Sequence, residues 1–159
     1  MYRQLQQWRR IQNEFHVTLI HRAMSGQHQD YWNALADMHV KQSTAQNRAN
    51  GEDGSQSKQQ PGIGQCKVVL ERIVWDNRIM CFVVRLVPVT GSEIEWKTVN
   101  DTPHVTIGTA DQSVKPKESN DLLKRWLAGG SGGATGIQEV LIRGHVELTG
   151  DAKAVPSRT

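Results

Sequence analysis

CKVVLERIVWDNRIMCFVVRLVPV, residues 66–89, decides the fold. Cys66 to Trp75 and Arg78 to Val89 are rich in Val, Ile, Leu, Phe and Trp, the residues that fit a pleated, half-buried surface. Between them stands Asp76-Asn77, a pair whose tolerance of positive φ suits a two-residue hairpin turn. The stretch therefore predicts two antiparallel strands.

Outward from the hairpin, the other elements follow from periodicity. Tyr2 to Gln12 predicts a helix with Leu5, Trp8 and Ile11 or Gln12 along one inward stripe. Glu14 to Ile20 alternates as a strand, and Asp30 to Val40 reads as a helix capped by Asp30 with Tyr31, Leu35 and Met38 facing the core. Residues 41–65 have only Ala45, Ala49 and Ile63 as apolar side chains, too little burial to offset the entropy of ordering them, so a disordered surface loop is expected. Thr102 to Thr109 predicts a strand, and Ser119 caps a helix over Asn120 to Leu127 that faces Leu122, Leu123 and Trp126 inward. GGSGGATG, residues 129–136, is expected as a flexible stop. Gln138 to Leu148 predicts the last strand, and residues 150–159 a loose tail. Strands spread through the chain with helices between them predict a single domain of α+β class on antiparallel sheet.

A length of 159 residues suits one domain, and apolar runs such as Met80 to Val84 fall far short of the roughly 20 residues of a membrane-spanning helix. The start, MYRQLQQWRR, has no apolar core of a secretory signal, and two cysteines, Cys66 and Cys81, make no disulfide framework. An intracellular setting, cytoplasm or nucleus, is expected. The net charge of +3 has its excess in residues 1–22, where Arg3, Arg9, Arg10 and Arg22 face Glu14 alone. A polyanion could dock there, although an Arg-rich solvated helix face explains the charge equally well.

The informative repeat is four residues long. His16-Val17-Thr18-Leu19 and His104-Val105-Thr106-Ile107 share the pattern His, apolar, Thr, apolar, 88 residues apart. On a strand, residues i and i+2 project to one side, so each copy presents an imidazole and a hydroxyl while its apolar residues face the core. Brought together, the copies supply what metal-free phosphodiester chemistry requires. One neutral imidazole accepts a proton from the nucleophile, the other, protonated, gives one to the leaving oxygen, and the hydroxyls donate to nonbridging phosphate oxygens.

A single His-x-Thr in a strand is more often structural; two copies in matching contexts reverse that weighting. A zinc site from His16, His21 and His104 is disfavoured, because residues five apart on a strand point to opposite sides, and no metal or cofactor is expected. Arg22, Lys115 and Lys117 are candidate contacts to a nucleic-acid backbone, with solvated charge as the even alternative. Trp75 could stack a base, though tryptophan ending a hairpin strand is more often packed.

The paired motifs resemble the two-histidine (2H) phosphoesterase superfamily. The flanking segments FHVTLIHRA, ERIVWDNRIMCFVVRL, PHVTIGT and VKPKESNDLL resemble the C-terminal cyclic phosphodiesterase domain of fungal tRNA ligases. That resemblance implies a two-lobed fold, antiparallel sheets forming a central cleft with helices outside. It implies a hydrolase that opens an RNA 2',3'-cyclic phosphate to 3'-OH and 2'-phosphate without a cofactor, with His16, Thr18, His104 and Thr106 as the catalytic set. It implies partners too: tRNA exon halves, messenger cleaved in the unfolded-protein response, and kinase and ligase domains of the same polypeptide. Within the superfamily, His16 is expected as acid and His104 as base. The alternatives are a 2H enzyme acting on small cyclic nucleotides or 2',5'-linked oligoadenylate, and a noncatalytic RNA-binding module.

Overall fold

The structure, a computed structural model, describes residues 1–49, 62–92 and 94–155. In chain order the elements are α1 (Tyr2–Gln7), α2 (Gln29–Ala49), β1 (Gly64–Trp75), β2 (Ile79–Pro88), β3 (His104–Thr109), α3 (Ser119–Gly129) and β4 (Gln138–Ala152). The strands form one antiparallel sheet in the order β3-β2-β1-β4. No helix among the described residues is long and apolar enough to cross a membrane.

The hairpin forms as expected, with Trp75 opposite Met80 and Cys66 opposite Pro88. Its turn differs in mechanism. Asn77-Arg78 sit at the tip and neither has positive φ; instead the Asp76 carboxylate accepts the N–H groups of Arg78 (2.8 Å) and Ile79 (3.0 Å). A side chain that substitutes for a backbone acceptor removes the need for a left-handed residue. Arg125 completes the arrangement by donating to the other Asp76 oxygen at 2.6 Å.

Alternation along the hairpin sends its two faces to different partners. Val74, Cys81 and Val83 pack under α3, against Leu122, Leu123, Val114 and Ile137. Ile73, Trp75, Met80 and Phe82 face the other way, toward Leu5 of α1 and Ile107. Farther along, Cys66 and Leu86 meet Leu35, Tyr31 and Met38 of α2, with Trp96, Leu19 and Ile20. The α+β class forms as the sequence predicts. Its material divides between a sheet-and-α3 part and an N-terminal part of α1, residues 8–20 and α2, in keeping with two lobes.

Four expected boundaries move. First, α1 ends at Gln7 because Arg9 turns left-handed (φ 52°), its N–H bonding Gln6 O and that of Arg10 bonding Leu5 O at 2.8 Å. This is a Schellman closure made without glycine, and it leaves Trp8 56% exposed rather than inward. Second, α2 continues nine residues past Val40, through the expected loop. Lys, Gln, Ala and Arg there are good helix formers, and a helix once nucleated propagates through them without a buried stripe. Residues 50–61 of that expected loop lie outside the described residues. Third, Gly129–Gly136 makes a hydrogen-bonded turn, with Gly130, Gly132 and Gly136 at φ of 68°, 138° and 67°, conformations only glycine adopts freely. Fourth, β4 extends to Ala152, opposite Gly64, because ladder pairing uses backbone groups and needs no apolar side chain.

Beyond β3, residues 10–17 run as an irregular edge. Ile11 bridges Gly108 and Val17 bridges Val105, both antiparallel, and Gln12 N–H donates to Ile107 O at 2.8 Å. Residues 14–20 thus form no regular strand; one bridge is all they make. At the crossing, a Cβ on Gly108 would stand 2.6 Å from Arg10 O and 3.0 Å from Leu5 Cδ1. A backbone carbonyl cannot swing aside, so Gly108→Ala is expected to destabilise by about 1–3 kcal/mol. A thermal midpoint within a degree of the parent protein would contradict that close approach.

Candidate active site

The second motif sits on β3 as its alternation requires. Val105 and Ile107 are buried, at 8% and 3% exposure, while His104 and Thr106 lie half-buried on the other side of the strand. His104 Nδ1 is 2.8 Å from Thr102 O. A carbonyl only accepts, so Nδ1 carries the proton and the neutral ring keeps its free lone pair on Nε2. Burial pushes the His104 pKa below that of free imidazole; the Thr102 bond opposes this in part and the nearby His16 adds to it. A ring held neutral, with Nε2 free, is suited to accept a proton.

The bridge from Val17 to Val105 sets the first motif beside the second. Antiparallel register carried one residue either way from that bridge would set His16 across from Thr106 and Thr18 across from His104, and His16 is near enough to help lower the His104 pKa. His16 is exposed and Thr18 half-buried.

Thr106 Oγ1 also lies 2.8 Å from Ser119 Oγ and 3.3 Å from Pro116 O, at the start of α3. The neighbouring turn is stiff. Glu118 accepts the Lys115 N–H at 2.8 Å and pairs with Arg78 at 2.8 Å, which fixes Lys115 and Lys117 on either side of Pro116. Lys115 Nζ donates to Gln112 O at 3.1 Å, and Lys117 is exposed. Both stand near the second motif, and Arg22, exposed in the short 3-10 turn Arg22–Met24, follows the first. Trp75 goes elsewhere. It pairs with Met80 at the far end of the hairpin and packs with Leu5 and Ile107, on the face opposite His104.

Arg10, part of the basic N-terminal cluster, has structural work. Its guanidinium donates to Thr109 Oγ1 (2.7 Å), Thr109 O (3.3 Å) and Asp111 O (2.7 Å), clamping the N-terminal segment to the end of β3. Among the described residues, no group of three or more His, Cys, Asp or Glu is placed to hold a metal ion.

The family model of the fungal tRNA ligase phosphodiesterase domain matches residues 1–155. The chain belongs to that family. It is a 2',3'-cyclic phosphodiesterase domain, and residues 1–155 include both His-x-Thr motifs. tRNA ligase 1 of Schizosaccharomyces pombe is 31% identical over 121 residues, 73% of this chain and 13% of that protein. The phosphodiesterase domain thus spans about an eighth of that relative. A solved structure of a fungal RNA kinase overlays with a TM-score of 0.56 at 20% identity, over 94% of this chain and 38% of that one, a likeness of fold.

Sequence reasoning missed two parts of the site. Thr102 supplies the carbonyl that sets the His104 tautomer, and a backbone group two residues before a motif has no sequence signature. Ser119 was expected as a helix cap. The helix starts at Ser119 itself, Glu118 occupies the cap position, and the serine hydroxyl turns to Thr106 instead.

Proposed function

We propose that this domain opens the 2',3'-cyclic phosphate at the end of a cleaved RNA to leave a 3'-OH and a 2'-phosphate. The observation that supports the reading is the Val17–Val105 bridge, which brings the backbones of the two His-x-Thr motifs together in a chain of a phosphodiesterase family. His104, neutral at Nε2, takes a proton from water as the oxygen bonds to phosphorus. The P–O3' bond breaks, and His16, protonated, gives its proton to O3'. Thr18 and Thr106 donate to the nonbridging oxygens, where negative charge grows in the transition state. After release of product, His104 sheds its proton to solvent and His16 regains one. No metal enters this scheme, because the imidazoles supply both acid and base.

The RNA ends that fit are tRNA exon halves and cleaved messenger, presented in the cell interior, with Arg22, Lys115 and Lys117 contacting the RNA backbone. Kinase and ligase domains of the same polypeptide would act on the product ends.

The test is incubation with a short RNA ending in 2',3'-cyclic phosphate, in EDTA, with 2'-phosphate, 3'-phosphate and unreacted ends resolved. Conversion to the 2'-phosphate is expected. A 3'-phosphate product would mean that the P–O2' bond breaks, and no conversion would remove the reading.

A further inference from the structure

The second motif contains a hydroxyl chain that begins in the core. Cys81 on β2 lies directly across the ladder from Thr106 on β3. Ser119, the first residue of α3, has no exposed surface; its Oγ lies 2.8 Å from Thr106 Oγ1, and it neighbours the Cys81 thiol. Thr106 has one proton and two lone pairs. If its proton were committed to Ser119, none would remain for a phosphate oxygen.

We propose that Ser119 is a positioning residue for Thr106, donating its own proton to Thr106 Oγ1 so that the threonine proton is free to point at the substrate. The donor order is then Ser119 to Thr106 to phosphate. Three features hold the chain in that direction. The Cys81 thiol keeps its proton, because burial pushes its pKa up to about 12 despite the neighbouring Ser119, so no thiolate competes for the Ser119 proton. Ser119 makes no other side-chain hydrogen bond among the described residues, which leaves Thr106 as the acceptor of its proton. The remaining partner of Thr106, Pro116 O at 3.3 Å, is the longer contact, one that a charged phosphate oxygen displaces readily. Since a developing oxyanion accepts more strongly than the ground-state phosphate, a hydroxyl aimed in advance favours the transition state over substrate binding.

The proposal rests on the phosphodiesterase reading and on Thr106 touching phosphate, and its test separates the two. kcat and KM on the cyclic-phosphate RNA are measured for the parent protein, Ser119→Ala, Thr106→Ala, the double variant and His104→Ala, with thermal midpoints alongside. Ser119→Ala is expected to lower kcat about ten-fold and move KM by less than about two-fold, as for an interaction made in the transition state. In the Thr106→Ala background the same change should cost less than about two-fold more, because the group through which Ser119 acts is gone. A normal kcat in Ser119→Ala, or the same ten-fold loss in both backgrounds, overturns the proposal. Should Ser119→Ala lose its cooperative melt, Ser119→Cys, which keeps the volume and weakens the donor, answers the same cycle with the same expected dependence on Thr106. An inactive parent protein would instead remove the phosphodiesterase reading itself.

Discussion

Replacing His104 with alanine is expected to lower kcat on a cyclic-phosphate RNA by about 10²–10⁴-fold, the usual contribution of one positioned acid or base. The fold should survive, because His104 belongs to the motif face while Val105 and Ile107 hold the strand in the core. Matched circular dichroism and melting curves check that separation. The pH profile supplies a second readout. Since burial, together with His16, holds His104 below the ordinary imidazole pKa, its base form persists to lower pH than a free imidazole would allow. The acidic limb of kcat/KM should therefore fall below about pH 6.5. Residual activity within ten-fold of the parent protein, or a flat profile from pH 5 to 8, would argue against His104 as the base.

Asp76→Ala should produce the largest loss of stability. Asp76 is 7% exposed; one oxygen holds the two N–H groups of the hairpin tip and the other the Arg125 guanidinium. Truncation orphans all three donors, at a cost of about 2–4 kcal/mol. That is somewhat less than for a fully buried pair, because Arg125 is half exposed and can turn to water. Burial raises the Asp76 pKa, but Arg125 and the N–H groups of Arg78 and Ile79 outweigh it, leaving the carboxyl below its ordinary value. The unfolded chain thus binds this proton more readily than the native one. The contribution is complete above the ordinary carboxylate range and is lost as pH falls through the lowered native value. Denaturant melts at pH 7 and pH 3 should show the gap between parent and variant narrowing at the lower pH. An equal gap at both values would show that the carboxylate charge is not what stabilises the turn.

How much of this was legible in the sequence varied with the physics of each segment. The hairpin was readable from its β-branched and aromatic composition, and β3 because a strand with one more deeply buried face repeats every second residue, a period that Val105 and Ile107 keep. The first motif was readable as chemistry but not as a strand, since alternation in residues 14–20 says nothing about whether a neighbour offers a ladder, and only Val17 finds one. Residues 41–49 were misread because low apolar content limits burial, not helix propagation; Ser43 and Thr44 even turn their hydroxyls back to the carbonyls of His39 and Val40. Ser119 illustrates the reverse error. A serine ahead of a helical pattern has the right local chemistry for a cap, and only the position of Thr106, thirteen residues earlier, shows that the hydroxyl is used elsewhere.

The Arg10 clamp has a consequence for biosynthesis. It joins residues 99 apart in the chain, and the bridge between the two motifs spans nearly as far. The β1–β2 hairpin is local and can pair as soon as it leaves the ribosome. The segment bearing His16 must wait for β3, which at about 5–20 residues per second is a delay of roughly 5–20 s after its own synthesis. The nascent chain therefore carries a paired hairpin well before it carries a site, and neither histidine meets its counterpart until synthesis is far past the middle of the domain.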